Sequence, residues 1–69
     1  MSLSDIIKKI YIVCEQHNKP IKNIFISNIS LLVNLENNSN FTIYYRNMTE
    51  KDIESLVSTC CNLSSNILN

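Results

Sequence analysis

The chain has 69 residues, of which 45% are hydrophobic, and its six basic and six acidic side chains give a formal net charge of zero. This length allows one domain, residues 1–69, which buries only about 60% of the surface of its unfolded chain and is marginally stable alone. The balanced charge disfavours binding to a phosphate backbone, and a chain without glycine has no phosphate-cradling loop of the usual kind.

A first helix is predicted near the N-terminus, because apolar residues recur there at i, i+3, i+4 and i+7. Ser2 or Ser4 can cap its start, while Asn18 and Pro20 mark its end. The predicted core stripe consists of Leu3, Ile6, Ile7, Ile10, Tyr11 and Cys14.

Three strands are predicted to follow, since apolar and polar residues alternate in three short runs. Their approximate bounds are Ile21–Asn28, Ser30–Glu36 and Phe41–Arg46. The links between them are short, which favours an antiparallel meander. Asparagines, among them Asn28, stand in these links, and asparagine tolerates a positive φ better than most residues. We therefore expect asparagine to take the turn positions that glycine usually occupies.

The last helix carries the strongest local signature. Thr49 followed by Asp52 resembles a capping box, and acidic residues favour the positive start of a helix. The stripe predicted to face the core consists of Ile53, Leu56, Val57, Cys60, Leu63, Ser64 and Ile67. Cys60 is therefore predicted to lie in the core. Cys61 lies beside the stripe, which leaves three alternatives: exposure to solvent, contact with a partner, or packing within the domain. Packing within the domain is the favoured interpretation. The fold class is thus α+β: helix, three-stranded antiparallel meander, helix.

Apolar surface extends beyond one face in two places. Ile12 and Val13 lie beside the stripe of the first helix, either between layers of the domain or against a partner. In the first strand, Ile24 and Ile26 alternate with Phe25, so both faces of the strand carry large apolar groups that need cover. The partner interface predicted from these patterns consists of Ile12, Val13, Ile21, Ile24, Phe25 and Ile26.

Each residue with catalytic potential occupies a position that a structural role explains. His17 stands at a helix C-terminus, where the helix dipole favours it, and Cys14 lies on the inward stripe. Three cysteines are an odd number, and the adjacent Cys60 and Cys61 lack the geometry to bridge each other. His17 has no partners at zinc-ligand spacing. We therefore predict no enzyme, no metal and no cofactor.

The expected location is the cytoplasm. Lys8 and Lys9 interrupt the first apolar residues, so no secretion signal is recognised, and no apolar run approaches the ~20 residues of a membrane span. Cysteines without an evident disulfide pattern also fit a reducing compartment.

A family resemblance rests on three segments. Residues 20–47 are PIKNIFISNISLLVNLENNSNFTIYYRN, preceded by SDIIKKIYIVCEQHN and followed by TEKDIESLVSTCCNLSSNIL. This order resembles a roadblock-type domain, as in the dynein light chains of the roadblock class and the small subunits of Ragulator. The chain departs from that pattern because the usual first helix and leading strand pair are missing, which leaves a truncated version.

The resemblance implies pairing through the first helix and first strand, which joins two sheets into a platform for a small GTPase or another subunit. We therefore expect a non-catalytic protein-interaction subunit that pairs with itself or a related small subunit in a larger assembly. The alternatives are a nucleic-acid-binding module similar to the Alu-binding subunits of the signal recognition particle, or a viral inhibitor protein. The former needs a basic sheet, whereas only Lys22 and Arg46 lie near these strands. A thiol enzyme would need a cysteine of depressed pKa.

Overall fold

The structure is a computed structural model that describes the backbone of residues 2–67 and the side chains of residues 2–63. Two helices flank three strands, in the order α1 (Leu3–Gln16), β1 (Ile21–Ile26), β2 (Leu31–Leu35), β3 (Asn40–Ile43) and α2 (Glu50–Ile67). The strands form one antiparallel sheet with β2 in the centre. The predicted α+β fold, with a meander between two helices, is confirmed.

Both helices pack against the same face of the sheet. Leu31, Val33 and Leu35 alternate along β2 and are almost completely buried, so they mark the face that the helices cover. The buried core consists of Ile6, Ile10, Val13, Cys14, Leu31, Val33, Leu35, Ile43, Ile53, Val57 and Cys61. Each large aliphatic side chain in this core contributes about 1.5–3 kcal/mol by leaving water. The domain therefore has two layers, and among the described residues no helix covers the other face of the sheet.

The rotation of α1 differs from the predicted one. Val13 is 1% exposed and belongs to the core, whereas Tyr11, which was predicted to face inward, is 46% exposed. Ile6, Ile10, Val13 and Cys14 form the buried face, because α1 packs against α2 as well as against the sheet. Val13 was predicted to lie on a partner interface, and that prediction is wrong: its side chain is already covered by the domain itself.

The rotation of α2 also differs. Its buried face repeats every four residues through Ile53, Val57 and Cys61. Cys61 is completely buried, while Cys60 is only half-buried, so the assignment of Cys60 to the core was wrong. Leu63 is 55% exposed. The side chains of Ser64 and Ile67, also assigned to the core, lie outside the described residues.

A β-bulge corrects the alternation of β1. Ile21 pairs with Leu35, but the next pair is Asn23 with Asn34, so the register shifts at Lys22. The extra residue places Ile21 on the same face as the later isoleucines of the strand, although their spacing is odd. Three isoleucines of β1 therefore point toward the helix layer.

Asparagine takes the left-handed backbone positions, as predicted for a chain without glycine. Asn18, Asn38 and Asn47 have φ values of 56°, 72° and 66°. Asn18 ends α1 in a Schellman motif, in which the amide of Lys19 donates to the carbonyl of Cys14 over 2.8 Å. Asn38 lies in the turn between β2 and β3. In the turn between β1 and β2, however, Asn28 has no positive φ.

That first turn is held by serine. The Ser27 amide donates to the Ser30 carbonyl over 2.9 Å, and the Ser27 hydroxyl accepts the Ser30 amide over 3.0 Å. The hydroxyl of Tyr45 donates to the carbonyl of Ser27 over 2.8 Å. β3 ends at Ile43, earlier than predicted, and Tyr45 connects the segment after the strand to the first turn.

The capping box of α2 is confirmed. The Thr49 amide donates to the Asp52 carboxylate over 3.0 Å, and the Asp52 amide donates to the Thr49 hydroxyl over 3.2 Å. These bonds satisfy amide groups that have no partner within the helix and define where α2 begins.

Candidate protein-interaction surface

One edge of the sheet is open to another chain. β1 pairs with β2 on one side, and within residues 2–67 no strand pairs with its other side. Because Ser27 is hydrogen-bonded to Ser30, the antiparallel alternation directs the backbone groups of Ile24 and Ile26 toward the open edge. The bulge at Lys22 and its charge hinder pairing at the start of β1. The part of the edge that can accept another strand is therefore Ile24–Ile26.

Apolar side chains accompany this open edge. Ile24 and Ile26 pair with buried residues of β2 and so point toward the helix layer, yet Ile24 is only half-buried and Ile26 is 54% exposed. Tyr11 of α1 lines one surface cavity together with Ile21 of β1. We call these four residues, Tyr11, Ile21, Ile24 and Ile26, the β1 edge surface. It combines apolar side chains with unpaired main-chain groups, the two features that strand addition uses.

The outer face of the sheet carries two cross-strand rows. Phe25, Leu32 and Thr42 are in register in one row, and Asn23, Asn34 and Asn40 are in register in the other. Phe25 is 60% exposed, and the Asn34 amide donates to the Asn23 side-chain oxygen over 2.8 Å. Neither row contains a charged residue. Over these two rows the outer face therefore carries no charge and has an apolar end.

The predicted interface residues fall into three groups. Ile21, Ile24, Phe25 and Ile26 lie on β1, on or beside its open edge. Val13 is buried, as described above. Ile12 is 50% exposed, but it lines a cavity with Lys8, Lys9 and Glu50, in the groove between the two helices. Ile12 is thus not continuous with the β1 edge surface.

Tyr11 was not predicted to lie at the surface. Its spacing from Ile7 and Cys14 matches a core stripe, and only the packing of α1 shows that it lies at the rim. Its hydroxyl group was the available signal, because tyrosine favours positions where one end is apolar and the other meets water or a polar partner.

The acidic residues at the start of α2 pair with a base on α1. The Lys9 ammonium lies 2.7 Å from a Glu54 carboxylate oxygen and 3.7 Å from one of Glu50. The hydrogen bond from Lys9 lowers the pKa of Glu54, and the same bond raises the pKa of Lys9. All three side chains meet solvent, so the network adds little stability. The network shows that the start of α2 lies beside the first half of α1.

His17 and the thiols have structural surroundings. His17 Nε2 lies 3.1 Å from the Ser58 hydroxyl oxygen, a contact between residues 41 positions apart that the sequence did not indicate. Burial raises the pKa of Cys14 to about 12 and also raises the pKa values of Cys60 and Cys61. These thiols are protonated at neutral pH, which opposes the thiol-enzyme alternative. Among the described residues, no group of three histidine, cysteine or acidic side chains could hold a metal ion.

Comparison with protein-family models, curated proteins and solved structures found no match for this chain. The resemblance to roadblock-type domains therefore stays a hypothesis based on element order and apolar pattern. Neither helix, over its described residues, is long and apolar enough to span a bilayer.

Proposed function

We propose that this chain is a non-catalytic protein-interaction subunit that pairs through the β1 edge surface, with a second copy or a related small chain, inside a larger assembly. The observation that carries the proposal is the coincidence of an open strand edge with exposed apolar side chains at Ile24–Ile26. Soluble domains normally shorten, charge or cover such an edge, because an exposed one adds strands from other chains.

The total exposed surface is ordinary for a domain of this size. The accessible area of 4595 Å² is close to the ~4,450 Å² expected for a monomer of 8.0 kDa. The size of the domain alone therefore does not require a partner. What supports pairing is the position of the exposed apolar groups, which share one edge with backbone groups that have no ladder partner within residues 2–67.

Pairing with a second copy has a simple geometry. Two β1 strands can run antiparallel about a two-fold axis near Phe25, so that each Ile24 lies opposite the partner's Ile26. The two three-stranded sheets then form one sheet, with all four helices on the same side. Tyr11 of each copy lies at the rim of this contact. The isoleucine side chains gain cover on the helix side, where they are now exposed or half-buried.

The joined outer face is where a further subunit would bind. It is neutral in the rows that contain Phe25 and Asn34 and has apolar groups in one of them. This composition suits a protein partner and opposes the nucleic-acid alternative, which needs basic groups on the sheet. Under the roadblock resemblance, the occupant of such a platform is a small GTPase or another subunit.

The test is the oligomeric state of the purified chain by sedimentation equilibrium across the micromolar range. We expect a dimer, and a melting temperature that rises with concentration because association stabilises the folded chain. Ile26→Lys places a charge on the open edge and should give a monomer. Tyr44→Lys is the matched control, since Tyr44 is 64% exposed but lies beyond the end of β3, and this variant should stay dimeric.

A second variant tests the main-chain part of the interface. Ile26→Pro removes an amide that faces the open edge, so the monomer's own ladder keeps its bonds while the intermolecular ladder loses one. A stably folded wild-type monomer at these concentrations contradicts pairing with a second copy. A dimer that survives both Ile26 substitutions places the contact elsewhere and contradicts the proposal.

A further inference from the structure

Two thiols from different helices meet in the core. The Cys61 sulfur of α2 lies 3.8 Å from the Cys14 sulfur of α1, although the residues are 47 positions apart. Both side chains are almost completely buried, and none of the three cysteines forms a disulfide in this structure. At this separation the sulfurs are in contact, and a disulfide bond of about 2 Å requires them to approach each other by roughly 1.8 Å.

The other possible pairings are excluded by position. Cys60 is adjacent to Cys61 on α2, so its side chain points about 100° away around the helix, and it is only half-buried. Neither sulfur of the close pair takes part in the proposed interface. The odd number of cysteines and the adjacency of Cys60 and Cys61 gave no sign of this pair in the sequence, because the contact is created by the packing of α1 on α2.

We propose that Cys14 and Cys61 are a redox pair that a small hydroperoxide converts into a disulfide, which covalently joins the end of α1 to α2. Cys14 lines a surface cavity together with Tyr11, Lys19 and Pro20. Because Cys14 is only 1% exposed, a molecule as small as hydrogen peroxide has to pass from this cavity into the protein to reach the sulfur. The two thiols lie outside the β1 edge surface, although Tyr11 and Ile21 of that surface line the same cavity.

The chemistry balances in two steps. The Cys14 thiolate attacks one peroxide oxygen; a sulfur–oxygen bond forms, the oxygen–oxygen bond breaks, and the leaving hydroxide takes a proton to become water. The Cys61 sulfur then attacks the sulfur of the Cys14 sulfenic acid; the sulfur–sulfur bond forms and the sulfur–oxygen bond breaks, releasing a second water. Two thiols are oxidised, and one peroxide is reduced to two waters.

The surroundings of Cys14 and Cys61 control the rate at which they are oxidised. Burial raises the pKa of both thiols, so little thiolate is present at neutral pH and oxidation of the folded domain is slow. The rate should increase with pH. The hydrogen bond with Cys14 and, to a smaller extent, the positive charge of Lys19 oppose the rise in the pKa of Cys61.

The experiment exposes the full chain to hydrogen peroxide under native conditions, alkylates the remaining thiols and maps them by mass spectrometry. We expect a mass lower by about 2 Da before alkylation, because two hydrogens leave. A tryptic cross-link should join the peptide with Cys14 to the peptide with Cys60 and Cys61, with Cys60 alkylated. The melting temperature should rise by roughly 15 °C or more, because the bond closes a long loop, and a reductant should reverse it.

Matched variants show which cysteines form the disulfide bond. Cys60→Ala leaves two thiols and should still lose about 2 Da and gain the same thermal shift. Cys14→Ala should show neither change. Because the wild-type map is informative by itself, the test holds even if Cys14→Ala fails to fold. The proposal is overturned if native wild-type protein yields a bond to Cys60, or if Cys14 and Cys61 of the Cys60→Ala variant are recovered as thiols or only as sulfinic acids.

Discussion

His17 Nε2 and the Ser58 hydroxyl oxygen are 3.1 Å apart, which joins the C-terminal cap of α1 to the middle of α2. The contact lies on the same side of the helix pair as the Cys14–Cys61 contact, one turn away along each helix. The C-terminal end of α1 is therefore fixed to α2 by a polar bond at its rim and by sulfur packing inside.

Ser58→Ala tests the polar bond. We expect the free energy of unfolding to fall by about 1 kcal/mol, because a partly buried hydrogen bond is lost. Ser55→Ala is the control, since Ser55 is exposed on the same helix and undergoes the same change in helix propensity. Urea unfolding of both variants gives the comparison. Equal stabilities would show that the His17–Ser58 contact contributes nothing.

Tyr45→Phe tests the connection between the segment after β3 and the first turn. The hydroxyl reaches the carbonyls of Ser27 and Asn28, at 2.8 Å and 3.1 Å, so its removal should cost about 1 kcal/mol. Tyr44→Phe removes a hydroxyl from the exposed neighbour and should change stability by less than about 0.5 kcal/mol. Denaturant midpoints at unchanged m-value measure both effects.

Asn38 is the position at which this chain would benefit from glycine. Its φ of 72° lies in the left-handed region, which costs a residue with a Cβ atom roughly 1 kcal/mol. Asn38→Gly should therefore match or exceed wild-type stability, and Asn38→Ala should fall below it by about 1 kcal/mol. If alanine were tolerated as well as glycine in thermal unfolding, the left-handed conformation would not be the cause.

Acid should weaken the start of α2. The hydrogen bonds from Thr49 hold the pKa of Asp52 below its ordinary value of 3.8, so the unfolded chain takes up the proton first. The contribution is complete above that ordinary value and is lost as pH falls through the lower, folded pKa. Glu54, held low by Lys9, behaves in the same way. Stability measured by urea unfolding should decline below about pH 4.

Asp52→Asn is the control for that titration. The amide still accepts the hydrogen bond from Thr49 but does not ionise, so the variant should lose less stability than wild type between neutral pH and pH values below the ordinary pKa. An unchanged pH dependence would show that Asp52 does not contribute to it.

The two adjacent cysteines should respond differently to serine. Cys61→Ser puts a hydroxyl into the core and should cost about 1–3 kcal/mol, while Cys60→Ser, at a half-buried position, should cost less than about 1 kcal/mol. Chemical unfolding under reducing conditions separates this effect from any disulfide. Similar costs for both would contradict the observed rotation of α2.

Local features were predictable because they depend on near neighbours. The capping box of Thr49 and Asp52, the alternation of β2 and the use of asparagine at left-handed positions all follow from residues within a few positions of each other. The order of the elements and the antiparallel meander follow from the same signals, since short links leave consecutive strands few other arrangements.

The rotation of the helices was not predictable in the same way. Tyr11 and Val13 compete for the inward face of α1, and Cys60 and Cys61 for that of α2, and each pair is separated by only one or two positions. The apolar spacing alone is compatible with either residue of each pair facing the core. The outcome depends on how α1 and α2 pack together above β2, which is a property of three elements at once.

The candidate surface was also only partly predictable from the sequence. The apolar residues of β1 were recognisable as excess, but which of them remain exposed depends on the bulge at Lys22 and on the edge position of the strand. The element types, their order and their caps could be predicted from the sequence, because they arise from interactions within a few residues. The inward faces of the helices, the open strand edge and the pair of thiols in contact emerged from the folded structure, because they depend on contacts between residues far apart in the chain.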